Sequence, residues 1–342
     1  MNRNHKIVKA GKLLNENGTL TEAGWANQLI LEYNPENIKA NKLRIKEWDY
    51  YLITNEKDNY ALSFCVADNR YMGLVNASVM DFNTKEKFDF LEPLIFPMGK
   101  LNLPHTSEKG DISFKSKNCE FNIDKKDKDI HIYCKYKQCY KYTDFEADIH
   151  LFCKPYDTMV IATPWAKEKK AFYYNQKITC MKAKGYAKVK DKVYTFDESK
   201  DFGILDWGRG VWTYNNTWYW GIGSGIVNGK PFGYNIGYGF GDTSAASENM
   251  LFYDGKSHKL DVIDFGIPEN VMEKWNITSN DGRFNMVFTP EYNDRTDLSI
   301  GIISQHADKL FGRISGTAVL DDETVLNIEN MLVFHERVHN KY

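Results

Sequence analysis

Along most of the chain apolar and polar residues alternate one by one. Over residues 144–151 the apolar set Phe145, Ala147, Ile149 and Leu151 interleaves with Asp144, Glu146, Asp148 and His150. Ile130, Ile132, Cys134 and Tyr136 repeat the pattern. A period of two gives strands with one buried and one wet face, as antiparallel sheets have. This rhythm begins near Lys42. Before it, residues 21–33 predict a short N-terminal helix, with a Thr21 cap and Trp25 one turn ahead of Leu29, Ile30 and Leu31. Asn228-Gly229, Asp254-Gly255 and Asp281-Gly282 are hairpin dipeptides, because Asn, Asp and Gly tolerate positive φ. Leu310, Ile314, Ala318 and Leu320 share a strand face ahead of a turn at Asp321-Asp322. Hairpins without crossover helices exclude a Rossmann or TIM architecture and predict up-and-down sheets that close into barrels to remove their edges. A new hairpin, residues 186–194 turning at Asp191, sets the expected division into a first unit, 1–180, and a second, 181–342.

Composition narrows the class. A chain of 342 residues exceeds the size at which one core stops growing, which favours two domains. Aromatic residues reach 14%, and such side chains suit pleated, half-buried surfaces. A net charge of −2 carries no electrostatic signature of nucleic-acid binding. No apolar run is long enough to cross a bilayer, and the first 18 residues, MNRNHKIVKAGKLLNENG, lack the apolar core of a secretory signal. Six cysteines without CxxC or zinc-type spacing predict reduced thiols, a cytoplasmic location and no metal.

The segment 202–249 stands apart. Between Gly203 and Gly241 it holds 11 of the 24 glycines and half of the eight tryptophans. Strands ordinarily avoid glycine, so glycines beside large indoles predict close backbone approach around an aromatic wall. Asp206, Arg209, Asp242 and Glu248 lie inside that setting, and the functional site is expected there.

Several motifs in fixed order resemble a bacterial family of uncharacterised function, DUF2804. They are GWANQLILEYN (24–34), RIKEWDYY (44–51), AFYYNQKITCMKAKG (171–185), LDWGRGVW (205–212), GFGDTSAASEN (239–249) and LFGRISG (310–316). The likeness runs nearly end to end. Residues 185–212, a glycine, a short hairpin, then Asp-aromatic-Gly, are similar to the Asp-His-x-Trp-Gly region of the carotenoid hydratase and AttH-like group. That resemblance implies two lipocalin-like (calycin) barrels and relatives that are hydratases, cyclases and Diels–Alderases of apolar small molecules. It would place a functional aspartate at Asp206, although Trp207-Gly208-Arg209 replaces the His-x-Trp that follows in that group. Shared architecture is expected over shared chemistry.

The candidate residues read as follows. A carboxylate desolvated among tryptophans suits proton transfer, so Asp206 is the expected acid–base group, with Arg209 holding it ionised or binding an oxyanion. The alternative is an Asp206–Arg209 brace, although strict alternation would put the two on opposite faces. Asp242 fits an Asx turn or a site residue, and Glu248 with Asn249 a partner for Asp206 across a barrel mouth. Trp48, Asp49 and Tyr50 are barrel girders or pocket residues, and Trp207, Trp212, Trp218 and Trp220 are the expected pocket walls. Lys177 is a solvated lysine at the domain junction or a buried amine. His335-Glu336-Arg337-Val338-His339 matches HExxH, but the segment reads as a terminal strand and not the helix a zinc site needs, with Glu336 and His339 near a barrel end. No GxGxxG, P-loop or GxSxG motif occurs. The expectation is a cofactor-independent acid–base enzyme, a lyase of hydratase type or an isomerase, acting on an apolar small molecule held between two barrels. The alternative is a non-catalytic binder of lipids or other hydrophobic small molecules.

Overall fold

The computed structural model describes residues 4–127, 129–140, 143–154 and 156–342, without the side chains of residues 139 and 140. Apart from a short parallel pair, Gly11–Lys12 with Leu31–Glu32, the strands form two antiparallel sheets that curl into lipocalin-like barrels. In the first, the spatial order starts at Glu86–Ile95, Met72–Asp81, Tyr60–Asp68 and Ile45–Asn55. It then jumps to Phe202–Val211 and Glu168–Val189, and runs on through Thr143–Phe152, Asp129–Tyr140, Cys119–Lys126 and Ile112–Lys115. Phe90 on one edge packs against Phe145 and Tyr136 near the other, with ring centroids 4.5 and 5.9 Å apart, so side chains close the curl. The second barrel follows Lys230–Tyr238, Asn215–Val227, Val325–Lys341, Ile303–Val319 and Phe284–Asn293 in register. Residues 168–211, which straddle the expected division at 180/181, pair within the first sheet.

The hairpin dipeptides do what their chemistry allows. Asn228 and Gly229 have φ of 52° and 76° between Asn215–Val227 and Lys230–Tyr238; Asp254 and Gly255 have 50° and 84°. Positive φ at both central residues matches the twist of the flanking strands.

The predicted N-terminal helix does not form. Residues 21–33 are extended, with Trp25 and Ala26 pairing Ile161 and Val160, and Leu31 pairing Gly11. The Thr21 hydroxyl donates to the Lys12 carbonyl instead of capping a turn. A Cβ at Gly24 would lie 2.5 Å from the His5 carbonyl oxygen, an approach that belongs to paired extended chains. Among the described residues the helical turns are 3-10, Pro35–Asn37 and Lys42–Arg44. Among the described residues no helix is long and apolar enough to cross a membrane.

Three apolar clusters follow from this architecture. One fills each barrel. The third lies between them and includes Leu52, Phe82, Tyr173, Trp212, Trp220, Phe240 and Phe334. The barrels therefore meet through an aromatic interface.

Candidate active site

Alternation along Phe202–Val211 decides which residues reach that interface. Leu205, Trp207 and Val211 point into the first barrel, while Ile204 joins the inter-barrel cluster and Asp206 a cavity beside it. Arg209 points inward with Trp207. It donates to the carbonyls of Trp48, Gly208 and Pro104 and, at 2.8 Å, to Asp49, while its guanidinium carbon stands 4.5 Å over the Trp207 ring. Lys125 completes this group, 3.1 Å from the other Asp49 oxygen. Burial would raise the Asp49 carboxyl, but the charges of Lys125 and Arg209 outweigh it and hold the group below the ordinary carboxylate range. Asp206 and Arg209 thus sit on opposite faces of one strand, and Arg209 pairs with Asp49 instead of bracing Asp206.

Strand pairing builds the cavity from two facing rows. On the first sheet Lys177, Asp206, Tyr50 and Cys65 are direct partners across four adjacent strands. On the second, Trp220, Glu336 and Lys309 are direct partners across three. Between them lies a cavity of about 200 Å³, closed in part by Trp48, Trp212 and Trp218. A dry apolar cavity of about 150 Å³ is known to accept benzene, so this one has room for a guest of that order. Gly208 makes the wall possible: a Cβ there would lie 2.0 Å from Trp48, whose indole covers the glycine and stacks on Tyr173.

The cavity floor is polar and ordered. Asp206 accepts from the Lys177 ammonium at 2.7 Å and from the Asn175 amide at 2.7 Å. Lys177 is only 1% exposed and rests 4.0 Å over the Trp220 ring. Opposite, Glu336 accepts from the Trp218 indole N–H at 2.7 Å. Burial pushes the Glu336 carboxyl above its ordinary range, opposed by the charge of Lys309. Lys46, at another part of the wall, is 2% exposed, with its ammonium 4.4 and 4.3 Å over Tyr71 and Tyr342. Burial, and next the charge of Arg44, lowers it to about 7. The indole N–H of Trp212 has no hydrogen-bond partner among the described residues. Such an arrangement can hold a small, largely apolar molecule, present an ammonium donor to an oxygen on it, and move a proton at a carboxyl group.

Of the residues expected from sequence, Asp206, Lys177, Trp48, Tyr50, Trp212, Trp218 and Trp220 line the cavity. Arg209, Asp49 and Trp207 are inside the first barrel. Asp242 accepts from the Ser244 N–H in a tight turn, as its simpler reading held. Glu248 lies behind the wall: the Trp220 indole donates to Asn235, whose amide donates to Glu248 at 3.2 Å. Burial raises Glu248 to about 7, while the charge of Lys177 and the Asn235 bond act against it. The HExxH segment is strand, Val325–Lys341. His335 is enclosed in the second barrel, 2.8 Å from the Tyr234 hydroxyl, and burial lowers it to about 3. Among the described residues no three potential metal ligands converge on the cavity. Sequence reasoning missed Lys46, Lys309 and Phe240 and named Glu336 only for its motif. The signal for Glu336 was alternation: it must face away from His335.

The profile of a domain of unknown function, DUF2804, matches residues 4–342. No curated protein matches the chain by sequence. The crystal structure of kievitone hydratase from Nectria haematococca superposes with a TM-score of 0.51 at 11% identity, covering 97% of this chain and 98% of that one. That of an AttH-like protein from Nitrosomonas europaea does so with a TM-score of 0.52 at 10% identity, covering 90% and 96%. At these identities the likeness establishes the double-barrel fold.

Proposed function

We propose that this chain, which belongs to the DUF2804 family, is a cofactor-independent acid–base enzyme acting on a small, largely apolar molecule between its barrels. The observation that carries this reading is the facing of a buried Asp206–Lys177 pair and the burial-raised Glu336 across one aromatic cavity. Glu336 acts as the proton donor or acceptor, because burial favours the protonated form of this cavity-lining carboxyl. Asp206, fixed by Lys177 and Asn175, orients the substrate or takes the second proton. The Lys309 ammonium, which lines the cavity, stabilises negative charge on a substrate oxygen. Hydration, isomerisation and cyclisation each need this equipment, and the structural likeness to a protein named as a hydratase favours the first. The free thiols of Cys65, Cys134 and Cys180 fit a reducing, cytoplasmic setting.

A second reading has its own observation. Both oxygens of Asp206 are already satisfied, by Lys177 and Asn175, as in a structural brace. The cavity would then bind a hydrophobic molecule without turning it over. Native mass spectrometry of the purified full chain identifies the occupant, and Glu336→Gln is assayed against it. The enzyme reading expects turnover to fall at least about 100-fold, the usual scale for losing a general acid, with affinity and melting temperature kept. Unchanged turnover refutes the role of Glu336; an occupant bound but never converted favours the binder.

A further inference from the structure

The outer face of the first barrel carries a cluster that the cavity chemistry does not use. His131 and His150 are direct partners on the adjacent strands Asp129–Tyr140 and Thr143–Phe152, so both project from one face. Their rings stack at 4.2 Å with 4° between planes. Asp148, two residues before His150, shares that face. Its Oδ1 lies 2.9 Å from His131 Nε2 and 3.6 Å from His150 Nε2. One ligand atom from each residue lies within 4.8 Å of the other two.

These spacings match a coordination polyhedron. With zinc–ligand bonds of about 2.0–2.1 Å, two ligands of a tetrahedral ion stand roughly 3.3–3.4 Å apart. The two measured edges, both to Asp148, bracket that value; the stacked rings hold their in-plane lone pairs parallel, so one imidazole must turn out of the stack for both to meet one ion. A carboxylate also stands behind a ligand. Asp124 is the register partner of His131 on Cys119–Lys126, with its Oδ2 3.9 Å from His131 Nδ1. Brought into hydrogen-bond reach by a turn of the ring, that carboxylate would fix the tautomer whose Nε2 lone pair is free for the metal. The side chains of His131, Asp148 and His150 are 35%, 37% and 50% exposed, which leaves an ion accessible and a fourth position for water.

We propose that His131, Asp148 and His150 form a chelating site for one divalent transition-metal ion of the imidazole-binding class, Zn²⁺ in particular, with Asp124 as the outer carboxylate. The ion ties together two neighbouring strands on the face of the first barrel away from the cavity. Its consequence is therefore stability and not turnover. Without metal, the same groups settle for the His131–Asp148 hydrogen bond.

Calorimetric titration of the chelator-treated full chain with zinc chloride tests this. One ion is expected to bind per chain, with a rise in melting temperature on saturation, since a ligand bound only by the native state stabilises it. His131→Ala and His150→Ala are each expected to weaken zinc binding at least tenfold and to abolish the rise. Asp124→Asn should weaken it by about tenfold, the low end of the range for outer-shell carboxylates, and by less than either histidine variant. These positions are partly exposed, so the variants' metal-free melting temperatures serve as the folding control. Zinc affinity unchanged in both histidine variants, or no binding at millimolar zinc, overturns the proposal.

Discussion

The Lys177–Asp206 pair offers the most direct test of whether the cavity floor is dry. The ammonium and carboxylate are 2.7 Å apart, with side-chain exposures of 1% and 10%. That places them far from the surface regime, in which an ion pair is worth about 0–1 kcal/mol. Removing one partner of a buried pair costs about 3–5 kcal/mol, because the other charge stays behind uncompensated. In Lys177→Met the carboxylate keeps only the Asn175 amide, and the cation over Trp220 is lost as well. In Asp206→Asn the ammonium keeps that ring and a neutral amide. Each single variant is therefore expected to lose about 3–5 kcal/mol of unfolding free energy. The double variant Lys177→Met/Asp206→Leu removes both charges and offers the aromatic interface two apolar side chains of similar bulk. Its loss should fall below that of either single, giving a coupling energy of about 3 kcal/mol or more. Urea denaturation followed by indole fluorescence and far-ultraviolet circular dichroism measures all four corners of the cycle. Singles costing under about 1 kcal/mol, or a double equal to their sum, would refute the reasoning: solvent would then be screening the pair.

Other outcomes follow from the same geometry. Gly208→Ala drives a methyl into the Trp48 indole, 2.0 Å away, and should cost about 1–3 kcal/mol by overpacking, with Trp48→Ala relieving it; an unaffected urea midpoint would mean the indole lies elsewhere. His335 is neutral in the native state down to about pH 3 but takes a proton near 6.5 when unfolded, so the unfolded state binds more protons in that window. Its contribution is complete above pH 6.5 and drains as pH falls toward 3, at up to about 1.4 kcal/mol per unit. His335→Phe should flatten that acid limb, and an unaltered pH profile would contradict the enclosure. Lys46, lowered to about 7, gives a base whose native form sheds its proton first, so stability rises with pH from about 7 toward the unfolded value of 10.5. Lys46→Met should remove that rise, and chemical denaturation at pH 7, 8 and 9 reads the difference.

How much of this was legible in the chain depends on the range of the cause. Alternation is local, and it gave the strands, the buried set Phe145, Ala147, Ile149 and Leu151, and the opposition of Asp206 to Arg209, which the glycines at 208 and 210 did not undo. Turn chemistry is local too, hence the hairpins at Asn228-Gly229 and Asp254-Gly255. The false helix arose because Trp25 and Leu29 to Leu31 mimic helical spacing, while what extends that segment is pairing with Val160 and Ile161, far along the chain. The cavity is assembled at the same long range. Asp206 and Lys177 meet only through the pairing of their strands, and Glu336 reaches the cavity only because Val325–Lys341 lies beside Asn215–Val227.

The glycine-and-indole segment shows how the two ranges connect. Its glycines on the interface face do not loosen the strand, because each is covered: Gly208 by Trp48 and Gly210 by the Phe172 carbonyl and the Trp212 indole. Laying indoles flat on bare backbone brings the aromatic wall close to the sheet, and Tyr173, Trp212 and Phe240 then pack edge and face against one another. Where the row reaches Asp206 the glycines stop and a charged side chain begins. The void opens at that change, where the flat wall ends and the Lys177–Asp206 pair stands up beneath Trp220. The polar floor and the space above it thus share one cause. A bulky residue at 208 should therefore damage the cavity's shape while leaving the Asp206–Lys177 contact in place, and a crystal structure of Gly208→Ala separates those two effects.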